Sequence, residues 1–237
     1  MVQLLIFGET GDQFTFKLFD HAIGQELNLT SPDAVSFAAN GYGSLRNPYV
    51  LNFTDPPQTI DLVEGWNWIS TYIDTNEVDC LSMLEAALGE NAIQIKSVDS
   101  YTDYYDGYGW YGPLDEIGMS NQQMYMVLVN TACSVTFVGP PVNPAAVAIT
   151  LNPEWNWIGF PFDHNLTPNE AFANFTPADL DVIKGGEDYW TYYEGFGWYS
   201  ETAEYLMPGQ GYMYYSNSDG PNTLVFQTGA KAGRILP

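Results

Sequence analysis

Two aromatic strings carry the most distinctive chemistry of this 237-residue chain. Tyr104-Tyr-Asp-Gly-Tyr-Gly-Trp-Tyr111 and Tyr192-Tyr-Glu-Gly-Phe-Gly-Trp-Tyr199 each read as a β-hairpin, turning at Asp106-Gly107 and Glu194-Gly195, pairs that tolerate positive φ. Exposed Trp and Tyr rings offer a large rigid area and a polar tip, which suits stacking on sugar faces or forming a protein interface. The candidate binding residues are Tyr104, Tyr108 and Trp110 in the first string and Tyr192, Phe196 and Trp198 in the second. A binding role predicts Tyr104, Trp110, Tyr192 or Trp198 exposed in a shallow groove. The competing expectation is that cross-strand ring pairs only hold the sheet together. Alternation sends Tyr101 and Tyr105 to one face and Tyr104 to the other, so one aromatic face belongs to the core.

Catalysis has little to stand on. The two histidines, His21 and His164, do not recur at matching positions, and Gly43-Ser-Leu lacks the remainder of a nucleophile elbow. No P-loop, dinucleotide fingerprint or Cys/His metal spacing occurs, so no enzyme is expected. Asp99, Asp103 and Asp106 before Gly107 make calcium a conceivable ligand, although their spacing is not that of an EF-hand and an acidic solvated surface is the simpler expectation. Cys80 and Cys133 both fall within residues 57–142 with no counterpart in the similar stretch at 143–237, as a disulfide or as two buried thiols. Asn28, Asn52, Asn165 and Asn174 head Asn-x-Thr sequons, which matter only in a eukaryotic secretory pathway.

The elements that position these strings are written twice. Ile60-Asp-Leu-Val-Glu-Gly-Trp-Asn-Trp-Ile69 returns as Ile149-Thr-Leu-Asn-Pro-Glu-Trp-Asn-Trp-Ile158, an offset of 89 residues, and the aromatic strings are offset by 88. A period this long means two copies of one folded unit, not a short-period solenoid. In each copy Trp66/Trp68 and Trp155/Trp157 alternate with an asparagine, so both indoles face one way, and a buried core is expected. Lys96 and Lys184 recur in a chain with only 6 Lys and Arg, expected over a tyrosine ring or beside Asp99 or Glu187.

Asn76 can cap a helix through about Leu88, with Val78, Leu81, Leu84 and Leu88 on one face. Thr167-Pro-Asn-Glu170 is a capping box, and Thr176-Pro-Ala-Asp179 predicts a further helical turn. Strands are expected at 66–73, 93–98, 124–129 and 135–138, with counterparts at 155–162, 181–184, 212–215 and 223–226. Short alternating runs at 4–7, 14–19, 26–29, 35–38 and 49–53 predict a small β-sandwich-like unit. The expected class is mainly β with α+β repeats: an N-terminal unit at 1–56, repeat modules at 57–142 and 143–237, and Pro140–Pro144 a stiff spacer.

Asp and Glu number 29, giving a net charge of −23 that comes mainly from missing bases. Nucleic acid and anionic lipid are therefore unsuitable partners, since both demand clustered Lys and Arg. No apolar run reaches the length of a membrane span, so no direct membrane insertion is expected. The opening residues lack a signal-peptide pattern, which suits a piece of a longer protein or a complete virion structural protein.

The repeated blocks resemble modules of large secreted and cell-surface proteins of Bacteroidota. The second repeat carries Trp155-Asn-Trp-Ile158, Ile183-Lys184, Gly197-Trp-Tyr199 and Pro208-Gly-Gln-Gly-Tyr-Met213. The first keeps Gly65-Trp-Asn-Trp-Ile69, Ile95-Lys96 and Gly109-Trp-Tyr111 but has Ser120-Asn-Gln-Gln-Met124 in the last block, which is expected to change one turn. The resemblance implies a non-catalytic spacer, adhesion or binding segment, extracellular or at the cell surface, with a protein or glycan ligand. Phages of the same hosts could carry similar modules, which leaves virion self-assembly as an alternative.

Overall fold

The computed structural model describes residues 9–14, 18–20, 25–31, 35–36, 52–54 and 57–226, and the chain divides into units at Met1–Pro56 and Pro57–Pro237. In the first unit β1 (Gln13–Phe14) pairs with β4 (Val35–Ser36). There β2 (Leu18–Asp20), β3 (Gln25–Ser31) and β5 (Asn52–Thr54) form an antiparallel sheet in the order β2-β3-β5. The strand expected at 4–7 lies outside the described residues, as do His21 and parts of the other N-terminal runs.

In the second unit the first repeat runs β6 (Gln58–Leu62), β7 (Gly65–Ile69), α1 (Glu77–Leu88), β8 (Ala92–Lys96), β9 (Tyr101–Tyr105), β10 (Gly109–Tyr111), α2 (Leu114–Ile117), β11 (Tyr125–Val129) and β12 (Cys133–Phe137). The second runs β13 (Ala148–Leu151), β14 (Glu154–Ile158), α3 (Pro168–Ala171), β15 (Val182–Gly185), β16 (Asp188–Tyr193), β17 (Gly197–Tyr199), β18 (Tyr212–Ser216) and β19 (Asn222–Val225). Each repeat builds a five-stranded antiparallel sheet, β10-β9-β8-β11-β7 and β14-β18-β15-β16-β17, plus a two-stranded ribbon, β6-β12 and β13-β19. Strand order matches element for element, and the fold is mainly β with α+β repeats.

Each repeat has its own core. Ile69, Ile95 and Val127 on one sheet face meet Leu81 and Leu84 of α1 and Val135 and Phe137 of β12. Ile158, Ile183 and Tyr214 meet Phe172, Leu224 and Phe226 in the second repeat. The central asparagine of Trp-Asn-Trp clamps the preceding turn. Asn67 accepts from the Val63 N–H at 2.9 Å and donates to the Val63 and Gly65 carbonyls at 2.8 and 3.0 Å. Asn156 repeats this on Asn152 and Glu154 at 2.8, 2.8 and 3.0 Å. The turn needs positive φ, which Gly65 supplies at 95° and Glu154 adopts at 74° against its side-chain preference.

Asn76 caps α1 through its side-chain oxygen, which accepts from the Val78 and Asp79 amides. Cys80, Leu81, Leu84 and Leu88 are buried, but Val78 is exposed, a correction to the expected stripe. Val78 lies roughly 100° around the helix from the centre of that stripe. Both cysteines are free thiols, Cys80 on the buried face of α1 and Cys133 partly buried on β12, so the disulfide alternative is not realised. Burial pushes the Cys80 thiol up to about 12, with the nearby Glu77 charge adding to it.

Glu85 of α1 is half-buried against α2, where its Oε1 and the Asp115 Oδ1 lack donors in the ionised state. Burial, the Asp115 charge and a hydrogen bond with Asp115 push the Glu85 carboxyl up to about 7. An acid whose folded pKa is raised stabilises fully below its unfolded value of 4.5 and loses that stability as pH climbs through about 7. With partial solvent screening the expected loss between about pH 5 and pH 8 is about 1–2 kcal/mol. Glu85→Gln should lack this component, seen as a smaller drop in urea stability than wild type over the same range.

The capping box at Thr167 forms as expected, with Glu170 N–H to Thr167 Oγ1 at 3.3 Å and Thr167 N–H to Glu170 Oε2 at 2.9 Å. Thr176 does not start a helical turn. The Ala178 amide donates to the Asp181 carboxylate at 2.9 Å, and Leu180 takes φ 65°, so the chain bends here instead. Pro140–Pro144 is not a free spacer either. Asp74 N–H donates to the Pro140 carbonyl at 2.6 Å and Val142 N–H to the Tyr72 carbonyl at 2.7 Å, tying the segment to the first repeat.

The repeats dock reciprocally. Ser70 N–H donates to the Gly209 carbonyl at 3.0 Å, and Gly159 N–H, at the matching position, donates to the Gln122 carbonyl at 3.0 Å. Ser70 Oγ donates to the Gln210 carbonyl at 2.6 Å and accepts from Phe160 N–H at 3.1 Å. Each repeat thus sends the loop before its last sheet strand onto the other, the geometry of an isologous interface.

Candidate aromatic faces of the two sheets

Strand register decides which rings face solvent, because directly paired residues share a face. In the first sheet one outward row is Trp68, Met126, Lys96 and Tyr101, and the next is Trp66, Leu128, Gln94, Asp103 and Tyr111. In the second sheet the rows are Trp157, Met213, Lys184 and Tyr189, then Trp155, Tyr215, Val182, Thr191 and Tyr199. Position by position the rows repeat a pair of tryptophans at one edge, a lysine in the middle and tyrosines at the far edge.

These rings are open. Trp66 and Trp155 are 41% and 49% exposed, and Tyr111 and Tyr199 are 76% and 57% exposed. Trp68 and Trp157 are half-buried. The expectation of a buried Trp-x-Trp pair is therefore corrected: both indoles do face one way, but outward, because Asn67 and Ile69 occupy the inward positions of β7. Trp155 is braced edge-to-face on Tyr215, centroids 5.2 Å apart. Lys96 Nζ sits 4.6 Å over the Trp66 ring, and Lys184 reaches across to Trp68 of the other repeat at 5.9 Å. The lysines stack on tryptophan, where tyrosine or a carboxylate was expected.

The residues chosen from the sequence fall elsewhere. Tyr104 and Trp110 are paired and turned inward, rings 5.6 Å apart, and the Trp110 indole donates to the Glu85 carbonyl at 3.2 Å beneath α1. Tyr192 and Trp198 repeat the edge contact at 5.5 Å, with Trp198 buried against Phe172 and Tyr214. None of the four is fully exposed: Trp198 is buried and Tyr104, Trp110 and Tyr192 are half-buried. Tyr108 and Phe196 sit in three-residue hairpin loops, not at the start of the returning strand, and are each 92% exposed. Their amides close the turns onto the Tyr105 and Tyr193 carbonyls at 2.9 and 3.0 Å, with Gly107 and Gly195 at φ 77° and 83°. The outward faces therefore bring the tryptophans that the sequence reading assigned to the core together with exposed tyrosines, with Tyr108 and Phe196 as isolated tips.

Near the repeat junction, Trp66 and Trp68 line a cleft of about 350 Å³ closed on the far side by Gly185, Gly186 and Gly209–Gly211. Among the described residues no group of three or more His, Cys, Asp or Glu is placed to hold a metal ion, and Asp103 accepts from the Gln94 amide at 2.7 Å. Among the described residues no helix is long and apolar enough to cross a membrane.

Fold and surface define a tandem pair of β-rich α+β modules, each with one face covered by helix and ribbon and the other bearing aromatic rings. No protein-family description, curated protein or solved structure matches the chain.

Proposed function

We propose that this chain is a non-catalytic recognition segment, carried on a secreted or cell-surface protein or a virion, that binds a neutral glycan across its outward sheet faces. The observation that carries this reading is the repeated pair of outward rows with exposed Trp and Tyr rings at Trp66, Tyr101 and Tyr111 and at Trp155, Tyr189 and Tyr199. Rings fixed on strands keep their geometry without a ligand, so little ordering free energy is lost on binding. Sugar rings present axial C–H groups to such faces and hydroxyls to the Tyr tips, Gln94, Asp103 and Thr191. A net charge of −23 repels anionic polymers, so the fitting ligand is uncharged.

The test is retention of the full chain on immobilised neutral polysaccharides, with dissociation constants by calorimetry. Trp155→Ala and Tyr189→Ala should each weaken binding roughly tenfold while leaving the circular dichroism spectrum intact. Wild type that binds no neutral polysaccharide, or variants that bind as well as wild type, would refute the proposal.

A further inference from the structure

The cleft of about 350 Å³ at the repeat junction runs along the edge of β7, the outermost strand of the first sheet. Trp66, Asn67, Trp68 and Ile69 all line it although their side chains alternate between the two sheet faces, so the main chain of β7 forms this wall. Main-chain groups alternate along a strand in the same way. The Trp68 carbonyl accepts from Gly211 N–H at 3.1 Å and Ser70 N–H donates to the Gly209 carbonyl at 3.0 Å, both on the side away from β11. Trp66 shares their parity, so its N–H and C=O face the cleft together with the Trp68 N–H. Among the described residues none of these three groups has a hydrogen-bond partner.

The second repeat supplies the opposite wall as bare backbone, from Gly185, Gly186, Gly209 and Gly211. Met126 and Met213 occupy matching places, each paired with a lysine on one side and the second indole of Trp-Asn-Trp on the other. That correspondence puts Ser97, Val98, Gln122 and Met124 of the first repeat where the second has the four glycines. A Cβ on Gly211 would lie 2.3 Å from the Met124 Cγ and 2.7 Å from the Ile69 carbonyl oxygen, so only glycine lets this loop lie against β7. Gly186, at φ 61°, has open space where a Cβ would stand. The glycines of Pro208-Gly-Gln-Gly-Tyr212, absent from the first repeat, therefore both dock the loop and leave the cleft unfilled.

One aromatic surface faces the same space. Lys96 reaches the Trp66 ring from β8, two strands into the sheet, at 4.6 Å, which leaves the other ring face on the side of the open edge.

We propose that this cleft seats one sugar residue of the neutral glycan, its hydroxyls on the open edge of β7 and its C–H face on Trp66. This rests on the carbohydrate reading for its ligand class. The lining decides between chemistries. Its one charged residue is Asp61, whose carboxylate already accepts from Ser134 Oγ at 2.6 Å, and the Lys184 ammonium stands 5.9 Å from the Trp68 ring beside it. A cation meets that lysine and an anion meets Asp61, so neither is favoured. The unpaired groups are two donors and an acceptor, which hydroxyls match because each both accepts and donates. An added peptide strand would find only these three groups before Gly211 ends the edge, short of the usual strand of about 5–6 residues. A volume of about 350 Å³ is at the small end of ligand sites, as one ring requires.

The experiment is a ¹H–¹⁵N titration of the full chain with neutral hexoses, deoxyhexoses and N-acetylhexosamines, followed at the Trp68 and Gly186 amides. One sugar should shift both saturably. Val63→Trp, at a residue that lines the cleft and is 64% exposed, should fill it and weaken that sugar at least about tenfold with the circular dichroism spectrum unchanged. Trp155→Ala, in the other repeat, should leave it unchanged. No shift at either amide, or wild-type affinity in a folded Val63→Trp, would overturn the cleft even if polysaccharide retention persists. Saturation by acetyl-Thr-Val-Thr-amide in place of any sugar would assign the edge to strand addition and overturn it too. A saturable sugar shift without polysaccharide retention would uphold the cleft and refute the sheet-face reading.

Discussion

Asp181→Ala is expected to lower the unfolding free energy by about 3–5 kcal/mol, the largest single loss in the second repeat. Asp181 is 1% exposed and its carboxylate is a hub: Oδ2 accepts from the Tyr214 hydroxyl at 2.5 Å and the Ala178 amide at 2.9 Å, and Oδ1 accepts from the Asn217 amide at 2.7 Å. Its own backbone carbonyl accepts from Tyr192 N–H, so the residue joins the 178–181 bend to β16 and β18. Alanine would leave the fully buried Tyr214 hydroxyl without a partner and free the bend. Burial first, then the bond to Asp181 and its charge, hold the Tyr214 hydroxyl far above the ordinary tyrosine range, so it stays a donor at every pH the fold survives. Tyr214→Phe removes one donor and leaves two amides on the carboxylate, and should cost about 1–2 kcal/mol. Urea denaturation of the two single variants and the double variant measures the coupling. A loss below about 1 kcal/mol for Asp181→Ala would contradict the hub.

Much of the framework could be read from residue types alone. The repeats, the Asn76 and Thr167 caps and most strands follow from local rules, because a cap needs only the residues within one turn of it. The outward aromatic face was misread although its signal was present. Ile95 is the apolar member of Ile95-Lys96, so Lys96 faces outward, and the tight hairpin at Ser97–Ser100 sets Tyr101 opposite it. Tyr101 and Tyr105 therefore share the lysine's face, and Tyr104 lies with Ile95 against α1. The tryptophans went the same way: with Ile69 in the core, alternation along Trp66-Asn-Trp-Ile69 puts both indoles outside, and the intervening asparagine is spent on the turn. Hydrophobicity pointed inward and parity pointed outward, and parity prevailed. The cleft beside β7 and the docking of the repeats were not legible, since both arise from which loops meet across long sequence separations. The Asp181 hub is of that kind too, joining residues more than 30 apart.

Gly159→Ala should destabilise the protein by about 2–3 kcal/mol, through the repeat junction and not through backbone strain. Gly159 does not occupy the left-handed region, so alanine fits its backbone and even restricts the unfolded chain. What alanine meets is the other repeat: a Cβ there would lie 2.1 Å from the Asn121 carbonyl oxygen, a backbone atom that cannot swing away. The Gly159 amide bond to the Gln122 carbonyl would stretch, and with it the reciprocal bonds of Ser70 to Gly209 and Gln210. Gly220, with open space around it, is the control, and Gly220→Ala should be neutral or slightly stabilising. Faster amide exchange at Ser70 and Gly211 in Gly159→Ala, with protection inside each sheet retained, would locate the damage at the junction. Unchanged exchange there would place the loss elsewhere and refute it. The same variant separates geometry from contact in ligand binding. Docking brings Lys184 to the Trp68 ring, which sets the two aromatic faces side by side. If one polymer spans both, loosening the junction lowers the effective concentration of the second face without touching a ring. Long polysaccharides should then lose affinity in Gly159→Ala while short oligosaccharides, confined to one face, bind as before.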